Sequence, residues 1–285
     1  VKFVLIADFF VEHIIGGGEL NNEELIKILK SNGFGVRKIQ SHLVSESFIE
    51  DNKEHNFIIA NFMNLSEFCK NLLQDKNYVI YEHDHKYLRN RNPADYDGFL
   101  APKEEIINYD FYKNAKAILC QSKFHKNIAE KNLELNNIVN LGGNLWSIET
   151  LEFLRQISKV PKVDKISIMS SPIPHKNTSI AIEYCNAKNR EYELIPQLPY
   201  EQFLQRLGAN HKLAFFPGTP ETLSRIVVEA RMMNMGIITN NTVGAIHEDW
   251  FKLKGEHLID LMESKREEIP QKIIGIFNED IINPE

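Results

Sequence analysis

The sequence is poor in cysteine: its 285 residues hold three, Cys69, Cys120 and Cys185, far apart and without a C-x-x-C pair. Such a set argues against a disulfide frame and a thiolate metal site, and makes a reducing, cytoplasmic compartment the expectation. Each cysteine reads as a small buried apolar residue. Positive charge is not in excess either. Lys and Arg number 33 against 39 Asp and Glu, a formal net charge of -6, so nothing advertises a nucleic-acid partner. No apolar run approaches the length of a membrane span, and no basic region followed by an apolar core and cleavage site opens the chain. Short-period repeats and low-complexity tracts are missing as well. What remains is 43% hydrophobic and 25% charged, ordinary for one large or two modest globular domains.

Short β-branched or aromatic runs alternate with helical patterns almost throughout. The strand candidates are "KFVLIAD", "GVRKIQ", "NFIIANF", "YVIYEHD", "KAILCQS" and "NIVNLGG", then "DKISIMS", "YELIP", "KLAFFP" and "GIITNN". Runs this continuous suit strands buried on both faces of parallel sheets. Between them, "EELIKILKSNG" has helical spacing and ends on a glycine, while "SKFHKNIAEKNL" and "NTSIAIEYCNAKN" read as helices capped by Ser122 and Asn177. The alternation predicts a doubly wound α/β architecture. The polar, proline-bearing "SKVPKVDK" marks a boundary near residues 158 to 163, dividing the chain into 1–158 and 159–285. "ESKREEIPQKIIGIFNED" is expected as a last helical region, one that could pack back on the first domain. Ligands are expected in a cleft between such domains, on loops that follow strands.

Four such loops carry candidate chemistry. Gly16, Gly17 and Gly18 precede the first helix, where free N–H groups meet anions and glycine lets a ligand approach. The spacing is not that of the G-x-G-x-x-G dinucleotide fingerprint. His83, Asp84 and His85 follow the fourth strand: an H-x-H pair can hold a metal, or one histidine can bond a substrate hydroxyl, and a solvated polar loop is the plain alternative. Lys176 stands at a helix mouth in "SSPIPHKN", suited to a phosphate. In "FFPGTPETLSRIVVEARMMNMGIITNN", Glu221 and Glu229 have seven residues between them. Were residues 221–233 helical, the two acids would lie about 12 Å apart along the axis and about 80° around it. That exceeds the roughly 5 to 9.5 Å of glycosidase carboxylate pairs. Separate tasks on one elongated, polyhydroxylated, anionic ligand follow, and Glu229, among Val227, Val228 and Ala230, requires a partner.

The order of these motifs resembles family 4 of the GT-B glycosyltransferases. "PETLSRIVVEARMMNMGIITNN" is similar to their E-x7-E signature and "IIGGGELNNEELIKILKSNGFGV" to their glycine loop and first helix. "AILCQSKFHKNIAEK" resembles the close of the first domain, and "YELIPQLPYEQFLQRLGANHKLAFFPG" the stretch that receives the nucleotide base. The resemblance covers most of the chain in order. It implies two Rossmann-like parallel-sheet domains facing a central cleft, with the acceptor on the first and the nucleotide sugar on the second. It also implies metal-independent hexosyl transfer, with retention, from a UDP- or GDP-linked sugar to a glycan, lipid or small-molecule acceptor, with no further cofactor. His83 and Glu221 would attend the sugar, His85 being a close second to His83. Glu229 would hold the ribose, and Lys176 with the amides of Thr222 and Leu223 the diphosphate. Gly17 and Gly18 would face the donor, and Ile195 and Leu198 would border the base. The family's arginine shortly before the second-domain lysine is not found in "SSPIPHKN", which leaves Ser170, Ser171, His175 or Arg225 to replace its charge. A non-catalytic nucleotide-sugar-binding protein and a metal hydrolase using His83 and His85 are the alternatives. The basic residues of "KYLRNRN" and "SKFHKNIAEK" read as solvated faces more readily than as a membrane contact.

Overall fold

The computed structural model describes residues 2–282; Val1 and residues 283–285, at the ends of the two expected domains, lie outside them. The chain divides into two compact units, Val1–Leu145 with Lys265–Glu285, and Trp146–Ser264.

The first unit holds a sheet of order β2-β1-β3-β4-β5-β6. Its strands are β1 (Lys2–Ala7), β2 (Gly35–Gln40), β3 (Asn56–Ile59), β4 (Tyr78–Tyr81), β5 (Ile118–Cys120) and β6 (Ile138–Asn140). Every pairing is parallel. Alternate residues serve opposite faces, as a pleated strand requires. Val4, Ile6, Phe57, Ile59, Tyr78 and Ile80 belong to one core cluster. Phe3, Leu5, Ile58, Val79, Tyr81 and Leu119 belong to another. Both faces are thus buried, which explains the unbroken apolar runs. The helices are α1 (Gly17–Ser31), α2 (Glu46–Asp51), α3 (Glu67–Leu73), α4 (Tyr109–Lys113) and α5 (Lys123–Leu133). Ser122 caps α5 by accepting from the His125 amide.

The second unit has the parallel order β10-β9-β7-β8. These strands are β7 (Val163–Met169), β8 (Tyr192–Ile195), β9 (Asn210–Phe215) and β10 (Gly236–Thr239), beside α6 (Ile148–Ser158), α7 (Thr178–Ala187), α8 (Tyr200–Leu207) and α9 (Arg225–Met232). The division falls at Leu145/Trp146 rather than near residue 158, because α6 buries Leu151, Leu154 and Ile157 with Leu204 and Leu207 of this unit. Asn177 does not cap α7 as expected. It adopts a left-handed φ of 51°, and its side-chain amide donates to the Phe216 carbonyl instead. The last helix, α10 (Glu256–Ile282), belongs to the second unit up to Ser264 and to the first from Lys265, where Ile269, Ile273 and Phe277 join Phe3 and Leu29 in the core.

Each sheet has one point at which successive connections leave in opposite directions: between β1 and β3 in the first, between β7 and β9 in the second. The crevice outside the carboxyl ends of the strands at such a point is where open α/β sheets bind ligands.

Candidate functional site

In the first unit, α1 starts at Gly17 with Gly16 as its cap, so the three glycines form the helix mouth. Gly17 is exposed and Gly18 half-buried. A Cβ built on Gly18 would lie 3.5 Å from His83 Cγ, which puts the bare backbone of the helix mouth beside that ring. Burial, with the nearby charge of Asp8 adding, lifts the Glu19 carboxyl of the same turn above its ordinary range, against a backbone hydrogen bond.

His83 is fixed on three sides. It stacks on Tyr81 with centroids 4.8 Å apart, and its ring nitrogens meet Asn22 Oδ1 at 2.8 Å and Gln121 Nε2 at 2.9 Å. The Gln121 amide also donates to the Glu82 carbonyl at 3.1 Å, which orients its NH2 group. His83 Nδ1 must therefore accept, and Nε2–H donates to Asn22. His85 is in different surroundings. It is buried, its Nδ1 meets the Tyr87 hydroxyl at 2.8 Å, and its ring stands edge-on to His125. Among the described residues, no group of three or more His, Cys, Asp or Glu converges as a metal site.

Beneath this segment lies a buried ionic cluster. Lys86 is fully buried, donates to Glu82 and, at 3.0 Å, to Asp84, while the Tyr112 hydroxyl donates to Glu82. Lys86, part of "KYLRNRN", is thus no solvated basic residue. The bend and turn that follow β4 bring the three side chains together. Desolvation raises the Glu82 carboxyl. Desolvation opposes ionisation of Asp84 as well, but Lys86 and Arg91 outweigh it and hold that carboxyl low.

In the second unit, Lys176 follows β7 and Glu221 follows β9, the two strands at the switch point. Lys176 Nζ lies 2.6 Å from Glu221 Oε1 and 5.7 Å from the Phe215 ring centroid. Glu221 is not helical. Its backbone pairs with the segment after β10, donating to Thr242 O at 2.7 Å and accepting from Gly244 N at 2.9 Å. Helix α9 begins only at Arg225, after Ser224 at a left-handed φ of 74°. The helical distance expected for Glu221 and Glu229 therefore does not apply. Conformations of this kind cost of order 1–3 kcal/mol in non-glycine residues and concentrate at ligand clamps. The Ser224 hydroxyl is buried without a hydrogen-bond partner. Thr222 is half-buried, and the Leu223 side chain is fully buried, which leaves Leu223 only its backbone for a ligand.

Glu229 is 3% exposed, and it has the partner its apolar neighbours demand. Oε1 accepts from Trp146 Nε1 at 2.9 Å and from the Tyr200 hydroxyl at 2.5 Å, with Arg225 Nε at 3.5 Å. Burial and the Glu229 charge push the Tyr200 phenol far above its ordinary range, so it stays a donor. Among the described residues, Oε2 accepts no hydrogen bond. Arg225 also lies over the Trp146 ring, 4.2 Å from its centroid, and so belongs to this cluster. Of the residues expected at the base, Ile195 is fully buried in the core and Leu198 is half-buried just beyond β8. Asn22, Gln121, Trp146 and Tyr200 were not expected. Only Gln121 had a local signal, a polar residue directly after the β5 run.

No family model matches the chain, and comparison with curated proteins finds no sequence relative. Solved structures do resemble it. HepE of Anabaena, in complex with UDP and glucose, shares 12% identity over 98% of this chain and 95% of its own, at a TM-score of 0.53. The catalytic domain of starch synthase IV from Arabidopsis thaliana, bound to ADP and acarbose, shares 8% over 99% of both chains at 0.58. An α-glucosyltransferase in complex with UDP and a 13-mer DNA shares 11% over 98% and 92% at 0.51. With its six- and four-stranded parallel sheets and these neighbours, the chain has the GT-B fold.

Proposed function

We propose that the protein is a glycosyltransferase of the family 4 type, moving a hexosyl group with retention from a UDP- or GDP-linked sugar to an acceptor, without a metal. The observation that carries this reading is Glu229: one carboxylate oxygen is fixed by Trp146 and Tyr200, while among the described residues the other accepts no hydrogen bond. A carboxylate so held is preorganised to accept from the ribose hydroxyls.

The rest of the second unit supports the assignment. A diphosphate is assigned to the amides of Thr222 and Leu223, the buried Ser224 hydroxyl and the N-terminus of α9, where backbone donors favour anions. Lys176 neutralises charge as the nucleoside diphosphate departs, releasing Glu221 to bind the transferred sugar. Ile195 and Leu198 mark the strand end assigned to the base. In the first unit, the glycine helix mouth of Gly17 and Gly18 and the Nε2–H of His83 are assigned to the donor, a sugar hydroxyl exchanging with Asn22 as the proton's acceptor. UDP and ADP accompany the structural neighbours, which supports a nucleoside-diphosphate donor here.

The test is release of nucleoside diphosphate from UDP-glucose and GDP-mannose, with and without EDTA, for the natural protein and Glu221→Gln. Turnover that survives EDTA and falls about a hundredfold in the variant, the scale of losing one transition-state contact, agrees with the proposal. Binding of these donors without any release would make the chain a nucleotide-sugar-binding protein instead.

A further inference from the structure

A cavity of about 440 Å³ opens in the first unit, lined by Phe62, Met63, Glu67, Lys70, Ile107 and Asn108. It lies beyond the carboxyl end of β3, between the segment after that strand, α3 and the residues before α4. Phe62 and Met63 follow β3, and the Asp8 carboxylate after β1 accepts from the Met63 and Asn64 amides, each at 3.0 Å, which fixes the loop. Gly18 and His83 follow β1 and β4, the two neighbours of β3, on the same carboxyl edge.

The walls are of two kinds. Phe62, Met63 and Ile107 are apolar. Lys70 is a cation, 7% exposed, with Nζ 5.7 Å from the Phe62 ring centroid. Asn108 spends its amide NH2 on the Lys86 carbonyl at 3.0 Å, so its Oδ1 faces Lys70 and takes one ammonium proton at 2.8 Å. A second goes to Glu67 Oε1 at 2.5 Å. The Glu67 side chain is 80% exposed, on a short helix, and free to turn into solvent. A buried cation whose counter-charge is an exposed, rotatable carboxylate can exchange that carboxylate for a ligand's anion.

We propose that this cavity binds a molecule in which a carboxylate or phosphate is joined to an apolar body, the anion replacing Glu67 on Lys70. Resting on the glycosyltransferase reading above, the acceptor is of this chemical class, as a soluble metabolite or as a lipid with an anionic head.

Calorimetry without nucleotide tests the cavity independently of the donor, so failure of either reading leaves the other standing. The probes are hexyl phosphate, hexanoate, hexan-1-ol and inorganic phosphate. The two amphiphilic anions are expected to bind, with hexanol and inorganic phosphate at least about tenfold weaker, the scale of a charge-assisted hydrogen bond. Lys70→Met should lose that tenfold. Glu67→Gln, which removes the competing charge, should tighten binding several-fold. Met63→Asp sets a negative charge on the wall without touching Lys70 and should weaken binding, so the test holds even where Lys70→Met fails to fold. Hexanol binding as tightly as hexyl phosphate, unchanged affinity in a folded Lys70→Met or Met63→Asp protein, or weaker binding in Glu67→Gln would overturn the proposal. Co-sedimentation with phosphatidic acid vesicles, lost in Lys70→Met or Met63→Asp, assigns the lipid form; hexyl phosphate binding without sedimentation assigns the soluble one.

Discussion

Trp146 Nε1 and Glu229 Oε1 lie 2.9 Å apart although 83 positions separate them in the chain. Tyr200, from a third element, reaches the same oxygen. Tyr200→Phe or Trp146→Phe alone leaves the carboxylate one neutral donor, at a cost of about 1.5–3 kcal/mol each. The double variant leaves Arg225 as the remaining partner of this buried charge among the described residues, so its loss of stability in urea unfolding should exceed the sum of the two.

Gly18 separates stability from activity. An added methyl group meets the His83 ring at 3.5 Å, an ordinary contact, and alanine is the better helix former. Gly18→Ala should therefore melt no lower, gaining up to about 1 kcal/mol. Turnover of a sugar donor should fall by about tenfold or more if the bare helix mouth is where the donor approaches.

The His83 tautomer depends on Gln121. Nitrogen-15 NMR of the ring should show the Nε2–H form alone in the natural protein and a mixture in Gln121→Leu, because the donor to Nδ1 is then gone. The same mixture in both proteins would remove Gln121 from this role.

Buried His125 sets a pH dependence. Burial, helped by the charges of His85 and Lys86, holds its pKa well below the ordinary 6.5. Nδ1 accepts from the Gln121 amide and Nε2 faces the Asp84 carbonyl, a pattern that needs the neutral ring. The unfolded chain thus binds a proton at higher pH than the folded one. Stability is full above pH 6.5 and falls as the pH drops from there, by at most about 1.4 kcal/mol per pH unit for this group. His125→Leu should flatten that slope in urea unfolding series.

Legibility in the sequence followed the range of the signal. The central strands were readable because burial on both faces makes them unbroken apolar runs; Phe3 to Ala7 are all fully buried, whereas the edge strand β2, "GVRKIQ", is largely exposed. Helix starts were less so. Residues 221–224 carry a helix-like spacing, but the backbone of Glu221 bridges Val243 and Ser224 turns left-handed before α9 can begin. Glu229 was legible as a charge in apolar company. Its partners were not, since Trp146 and Tyr200 come from other elements and no spacing ties them to it. The division at residue 145 was hidden for the same reason: the polar "SKVPKVDK" is a conspicuous break, while the apolar face of α6 decides which core it joins.

The most direct test of the account is thermal unfolding with UDP, GDP, ADP or no nucleotide, each with and without a chelator, for the natural protein and Glu229→Gln. One nucleoside diphosphate should raise the midpoint, by the equivalent of about 2.7 kcal/mol at a hundred times its dissociation constant. That rise should survive chelation and be largely lost in Glu229→Gln. No rise with any of the three, or an equal rise in Glu229→Gln, would contradict the assignment of this carboxylate to a nucleotide donor.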